Sequence, residues 1–114
     1  MHSMKLNPLP FQRIKKGSKK IEIRLFDEKR QKLKVGEKIE FSNLENMEEK
    51  IIVEILNLKK FKSFKSLIIN TPMKKFGYPE NYDIQKFLNS IYSIYTKKQE
   101  DMHSVLAIEI KLIK

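Results

Sequence analysis

Within the stretch "GSKKIEIR", Gly17 to Arg24, three ionisable side chains recur at short spacing: Lys19, Glu22 and Arg24. In an extended chain Glu22 and Arg24 project from the same face about 7 Å apart along the strand. Lys19 leaves the Gly17 turn at the strand mouth. Arg24 can clamp a phosphate or hold Glu22. Lys19 can bind an anion or, if desolvated, act as a base, and Glu22 can accept a proton or hydrogen-bond an amine on a base edge. A close arginine keeps a glutamate ionised, which suits a hydrogen-bonding role and weakens the carboxylate as a general base near neutral pH. The same letters also describe a solvent-facing strand whose salt bridges each contribute little. Spacing alone leaves both readings open.

Other groups carry weaker signals. "KKFKSFK", Lys59 to Lys65, interleaves cations with Phe61 and Phe64, a composition suited to gripping a nucleic-acid backbone and stacking a base. Such phenylalanines equally fill a core, and Phe64 belongs to a helical apolar stripe. Tyr92 and Tyr95 could present an aromatic rim to a cleft, with core packing around a wet hydroxyl as the plainer reading. His2 and His103 stand at opposite ends of the chain without a ligand-spaced carboxylate, so no metal is expected. The absence of cysteine excludes disulfides, thiol nucleophiles and Cys-based zinc sites.

Charge narrows the partners. Twenty-four Lys and Arg against fourteen Asp and Glu give a formal charge of +10, which favours polyanions through phosphate contacts and counterion release. The excess is uneven: residues 1–34 hold eleven basic and three acidic side chains, whereas Lys38 to Glu54 is neutral to acidic. Biased base composition in a genome also produces lysine-rich chains, but a basic face explains the asymmetry better. Lys15, Lys16, Lys20, Lys59, Lys60 and Lys62 are its expected members. At 114 residues the chain is expected to form a single domain, 1–114. No run approaches the roughly 18 to 20 apolar residues of a membrane span, and no leader pattern follows the first lysine. A monomer in the cytoplasm, without cofactor, is the expectation.

The elements that must position these groups are legible in outline. Met4 and Leu6 alternate with polar residues in a short strand stopped by "NPLP". Pro10 can open a helix that buries Phe11 and Ile14 and ends at Gly17. Ile21, Ile23 and Leu25 then alternate with Lys20, Glu22 and Arg24 in the motif strand. Asp27 can cap a turn through "EKRQK". "EKIEFSN" and "KIIVEILNL" read as a hairpin around the polar loop "LENMEE". Ser63 caps a short helix ended by Thr71-Pro72, Lys74 to Asn81 reads as a loop, and Asp83 to Tyr95 has strong helical periodicity. Leu106, Ile108, Ile110 and Leu112 face one way in a last strand. About five strands with three or four short helices, without regular βαβ alternation, make an α+β fold built on a small mixed barrel.

"GSKKIEIR" fits the pattern G-x-K-x-x-E-x-R and in this resembles the signature of the ASCH domain, a PUA-like family of small RNA-associated barrels. Residues 4–41 look like the N-terminal half of bacterial single-domain members, and "SVLAIEI" looks like their closing strand. The resemblance implies a PUA-like β-barrel with a cleft beside the signature strand, RNA or a nucleotide as ligand, and Lys19, Glu22 and Arg24 as lining residues. Some similar proteins are amidohydrolases that deacylate N4-acetylcytidine with a Lys, a Thr and a Glu, and others are ribonucleases. Here Glu22 stands where the resemblance places that Thr, so the hydroxyl nucleophile is missing. Lys19 matches the family lysine, and Glu80 is the candidate for the distal glutamate. The sequence therefore carries two main functional readings. One is an RNA- or nucleotide-binding domain; the other is a small hydrolase of a modified nucleoside, or a ribonuclease, with Lys19 and Glu22 as catalytic groups. A protein-interaction module is a third.

Overall fold

The structure, a computed structural model, describes all 114 residues. Strand β1 (His2–Leu6) leads into helix α1 (Pro8–Lys15) and strand β2 (Ile21–Leu25). A 3-10 turn at Arg30–Lys32 precedes strands β3 (Lys38–Asn43) and β4 (Asn46–Phe61). Helix α2 (Phe64–Ile69), a second 3-10 turn at Met73–Phe76, helices α3 (Ile84–Tyr92) and α4 (Lys97–His103), and strand β5 (Val105–Leu112) complete the chain.

One five-stranded sheet runs in the order β1-β3-β4-β5-β2, parallel only between β1 and β3. It curls until its two edge strands face each other. Arg24 on β2 reaches across and donates from Nη2 to the Lys5 carbonyl of β1 at 2.7 Å. The architecture is thus a half-barrel whose unpaired seam lies between β1 and β2, with four α-helices around it, in agreement with the α+β barrel expected.

Two apolar cores hold this shape. Inside the curl, Phe11 and Ile14 of α1 plug a cluster with Met4, Leu6, Ile39, Phe41, Val53 and Ile108. Over the outer face of β2 and β5, α2, α3 and the second 3-10 turn bury Phe64, Leu67, Phe76, Phe87 and Leu88 against Ile21, Ile23 and Ala107. Local chemistry sets the helix starts. The Ser63 hydroxyl accepts from the Ser66 N–H at 3.1 Å, and Asp83 accepts from Gln85 and Lys86 N–H groups at 2.8 and 3.2 Å. Asp27 accepts from the Arg30 N–H at 3.1 Å, as its position before "EKRQK" implies.

Several elements differ from expectation. The polar loop between β3 and β4 shrinks to Leu44 and Glu45, because β4 already starts at Asn46; at its other end β4 runs on through Lys59 to Phe61. A register shift between Ile55 and Asn57 lets this 16-residue strand bend round the barrel. The stretch Lys74 to Asn81 overlaps the second 3-10 turn, which begins at Met73 and is closed by Gly77 at φ +86°. The expected helix 83–95 stops at Tyr92; Thr96 then starts α4 with a reciprocal capping box to Gln99, a helix absent from the sequence reading. Pro8 rather than Pro10 opens α1, and Leu112 is partly exposed where β5 outruns the core.

Candidate functional site

The alternation of β2 places two chemistries back to back, and the sheet buries both. Ile21, Ile23 and Leu25 enter the outer helical core. The opposite face follows from register: Glu22 pairs with Ile108 and Arg24 with Leu106 on β5, and directly paired residues share a face. Ile108 and Leu106 belong to the inner core, so Glu22 and Arg24 point into the half-barrel at its seam. Glu22 is only 6% exposed. A charge so buried is tolerated when paired and hydrogen-bonded. Arg24 Nε donates to Glu22 Oε2 at 2.7 Å, and Lys19 Nζ lies 3.3 Å from Oε1. The Arg24 and Lys19 side chains are themselves 12% and 11% exposed.

Lys19 is brought there by the end of α1. Gly17 adopts φ +81°, the Ser18 and Lys19 N–H groups both donate to the Arg13 carbonyl, and the chain reverses into β2. Gly77 permits the packing of the second 3-10 turn on this reversal: a Cβ added there would stand 3.2 Å from Arg13 Cδ and 3.5 Å from Lys19 Cβ. The next residue, Tyr78, lies under the Arg13 guanidinium at 4.7 Å and stacks on Tyr82 with ring centroids 4.1 Å apart and 5° between planes.

These parts enclose a cleft of about 450 Å³ between α1, the seam and the C-terminal end of α3. That volume lies in the range of small-ligand sites. Lys19, Glu22 and Arg24 all line it, with Arg13 and Lys5; Tyr78, Phe87, Tyr95 and Pro10 supply apolar and aromatic surface, and the exposed Leu9, Leu44 and Ile94 surround them. Burial drives the Glu22 carboxyl upward, but the positive charges of Arg24 and then Lys19, with their hydrogen bonds, outweigh it and hold its pKa below the ordinary value. For Arg24 the attraction of Glu22 outweighs burial and raises the pKa. Burial of the Tyr95 hydroxyl raises its pKa, against the pull of Arg24. Near neutral pH the cleft therefore presents an ionised carboxylate flanked by cations beside flat apolar walls. This suits hydrogen bonding to a planar, amine-bearing group and neutralisation of an anion, and gives Glu22 little basicity.

The cations expected on the approach surface are not among the residues that line the cleft. Lys15 pairs with Glu49 at 2.9 Å, Lys16 is exposed at the end of α1, and Lys20 is exposed where its N–H joins the Lys75 carbonyl. Lys59 lies over the Phe61 ring at 5.3 Å and Lys60 over Phe26 at 4.9 Å; Lys62 is exposed just before α2. Phe64 is fully buried in the outer core rather than displayed for stacking, whereas Phe61 is half-buried beside it. Glu80 lines a different depression, with Tyr82, Met73 and Ile84, and does not join Lys19 and Glu22. Tyr92 turns away and donates to Glu100 at 2.7 Å; Tyr95 is the one that reaches the cleft. Lys5, Arg13 and Tyr78 escaped the sequence reading. Arg13 was traceable, since it lies one helical turn from Pro10 on α1, but Lys5 and Tyr78 come from 19 and 54 residues away from Arg24 along the chain.

No three His, Asp or Glu side chains gather as a metal site, and no helix is long and apolar enough to cross a membrane. No curated protein matches the chain. Among solved structures, the crystal structure of hypothetical protein PH0355 is similar over 97% of each chain, with 30% identity and a TM-score of 0.85. The solution NMR structure of protein PF0455 from Pyrococcus furiosus is similar over 99% of this chain and 97% of its own, with 26% identity and a TM-score of 0.74. The model of the ASCH domain matches residues 4–114, so that β2 and every residue lining the cleft lie inside one matched unit: the chain belongs to the ASCH domain family.

Proposed function

We propose that the cleft binds RNA or a nucleotide-like ligand, with a base between its aromatic and apolar walls. The observation that carries this reading is the convergence of Lys19, Glu22 and Arg24 on one cleft floored by charge and walled by Tyr78, Tyr95 and Pro10. Glu22 accepts from an exocyclic amine of the base, and Lys19 and Arg24 meet a carbonyl or phosphate oxygen. The family is generally associated with RNA, and a formal charge of +10 supports a polyanionic partner.

Fluorescence anisotropy with short single-stranded RNA tests the reading. Affinity falls steeply with salt, by about 0.7 decade per decade for each phosphate neutralised, and Lys19→Ala weakens it about tenfold, the size of one charge-assisted hydrogen bond. Affinity that is flat between low and moderate salt, or untouched by Lys19→Ala, refutes it. Hydrolysis of an acylated or otherwise modified nucleoside draws less support, because Glu22 is held ionised by two cations and Glu80 lies elsewhere. Incubation with N4-acetylcytidine checks that alternative, and release of cytidine that Lys19→Ala abolishes would favour it over simple binding.

A further inference from the structure

On the other side of Arg24 lies a second hollow, also of about 450 Å³, which the sequence reading did not assign. The two cavities share Arg24 and Lys5, so the seam between β1 and β2 is the wall between them. The second is cationic: Lys29, Arg30 and Lys50 join Lys5 and Arg24, with Glu40 as the one carboxylate among the lining residues.

Their pairing is incomplete. Arg24 is matched by Glu22, Arg30 by Asp27 at 2.9 Å, and Lys50 reaches Glu40 only at 3.5 Å. Lys5 and Lys29 form no salt bridge; Lys29 Nζ donates to the Ser3 carbonyl at 2.6 Å instead. The buried Nε of Arg30 has no hydrogen-bond partner. Lys29 is exposed, yet loss of part of its hydration and then the charges of Arg30 and Arg24 hold its pKa below the ordinary lysine value despite the opposing pull of Asp27. Like charges crowded into one concavity repel one another, and a bound anion relieves that repulsion.

We propose that this hollow is a phosphate site, in which Lys5, Lys29 and Lys50 bind the oxygens of a phosphate group with Arg24 and Arg30 behind them. The phosphate is either the terminal group of a nucleotide or oligonucleotide or an internal phosphodiester. The inference deepens the proposed function and rests on it for the nucleotide class, since a ligand whose base enters the cleft passes the seam to place its phosphate here.

Two titrations test it. The first follows inorganic phosphate at low ionic strength in 1H–15N correlation spectra. It saturably shifts the amides of Lys5, Lys29 and Arg30, and Lys29→Gln/Lys50→Gln, which touches the hollow and not the cleft, weakens it about tenfold. Lys98→Gln/Lys111→Gln, which removes the same charge from exposed positions elsewhere, leaves it unchanged; Lys29→Arg, which keeps the charge, retains binding and shows that the fold is intact. The second compares 5′-phosphorylated and 5′-hydroxyl oligoribonucleotides. A terminal-phosphate site prefers the former about tenfold and loses the preference in the hollow variant. A phosphodiester site binds both alike, and the hollow variant lowers the salt slope by about 1.4, from two lost contacts. Phosphate shifts that spread unsaturated over all exposed lysines, or equal losses in the hollow and control variants, overturn the proposal. RNA binding that Lys19→Ala weakens but Lys29→Gln/Lys50→Gln does not would sink the phosphate site alone; a saturable phosphate response without RNA binding would sink the cleft reading alone.

Discussion

Arg24→Met gives the most direct test of the buried charge cluster. The substitution keeps much of the side-chain volume but leaves Glu22, 6% exposed, with Lys19 at 3.3 Å as its single cationic partner. Removing one partner of a buried ion pair costs about 3 to 5 kcal/mol. At about 4 °C of melting temperature per kcal/mol in a domain near 100 residues, the midpoint falls by roughly 12 to 20 °C at pH 7. The lost seam bond to the Lys5 carbonyl adds little, because that carbonyl is exposed and water replaces the guanidinium. The pH dependence is the sharper part. In the wild type the Glu22 pKa is depressed, so its contribution to stability is present above the unfolded value of about 4.3 and is lost as pH falls through the lower folded value. In Arg24→Met burial prevails, the Glu22 pKa rises above the unfolded value, and the variant regains stability as pH falls towards 5. Thermal or urea melts followed by circular dichroism at pH 7 and pH 5 measure both. The double variant Glu22→Gln/Arg24→Met recovers about 1 to 3 kcal/mol relative to the single one. A loss below about 1 kcal/mol with the same gap at both pH values would show that the pair behaves as a solvated surface bridge, and the reasoning would be wrong.

Other expected outcomes follow from the same packing. Gly77→Ala meets both a left-handed backbone and contacts on Arg13 and Lys19, and lowers stability by about 1 to 2 kcal/mol in urea titrations. The tight contact is with Arg13 Cδ at 3.2 Å, so the Arg13 side chain is the cleft group that shifts, while Lys19 stays at ordinary contact distance. Glu100, fully buried, accepts from the Phe64 N–H and the Tyr92 hydroxyl, both at 2.7 Å, and from Lys97 at 3.1 Å; Glu100→Ala costs about 2 to 3 kcal/mol and accelerates hydrogen exchange at the start of α2. Although burial pushes its carboxyl up, these bonds hold the pKa below the ordinary value, so this contribution too is present above about pH 4.3 and fades as pH falls through the folded value, which acid melts of wild type and Glu100→Ala will show.

The legible parts of this protein are those that neighbouring residues decide. Ile21, Ile23 and Leu25 against Glu22 and Arg24 specify a strand with two distinct faces, and Gly17 specifies the reversal that delivers Lys19. Ser63 and Asp83 mark their helices because a cap bonds within three residues. The same locality explains an error: the polar letters of "LENMEE" read as a loop, whereas Asn46 pairs with Asn43 and β4 starts there, with a register shift between this pair and that of Ser42 with Lys50. Thr96 and Gln99 held the start of α4 in plain view, but the apolar stripe preceding them masked it.

Sequence by itself determined the chemistry and spacing of Lys19, Glu22 and Arg24 and the strand that carries them, because alternation and turn residues act over a few positions. Whether the polar face met water or a cavity was decided by tertiary structure. Pairing to β5 turned Glu22 and Arg24 inward, and curling of the sheet carried Lys5 to within hydrogen-bonding distance of Arg24. Packing on Gly77 brought Tyr78 to the same cleft and left Glu80 in another depression. Such contacts depend on where distant segments meet, and that is settled by burying two cores together rather than by any short run of residues.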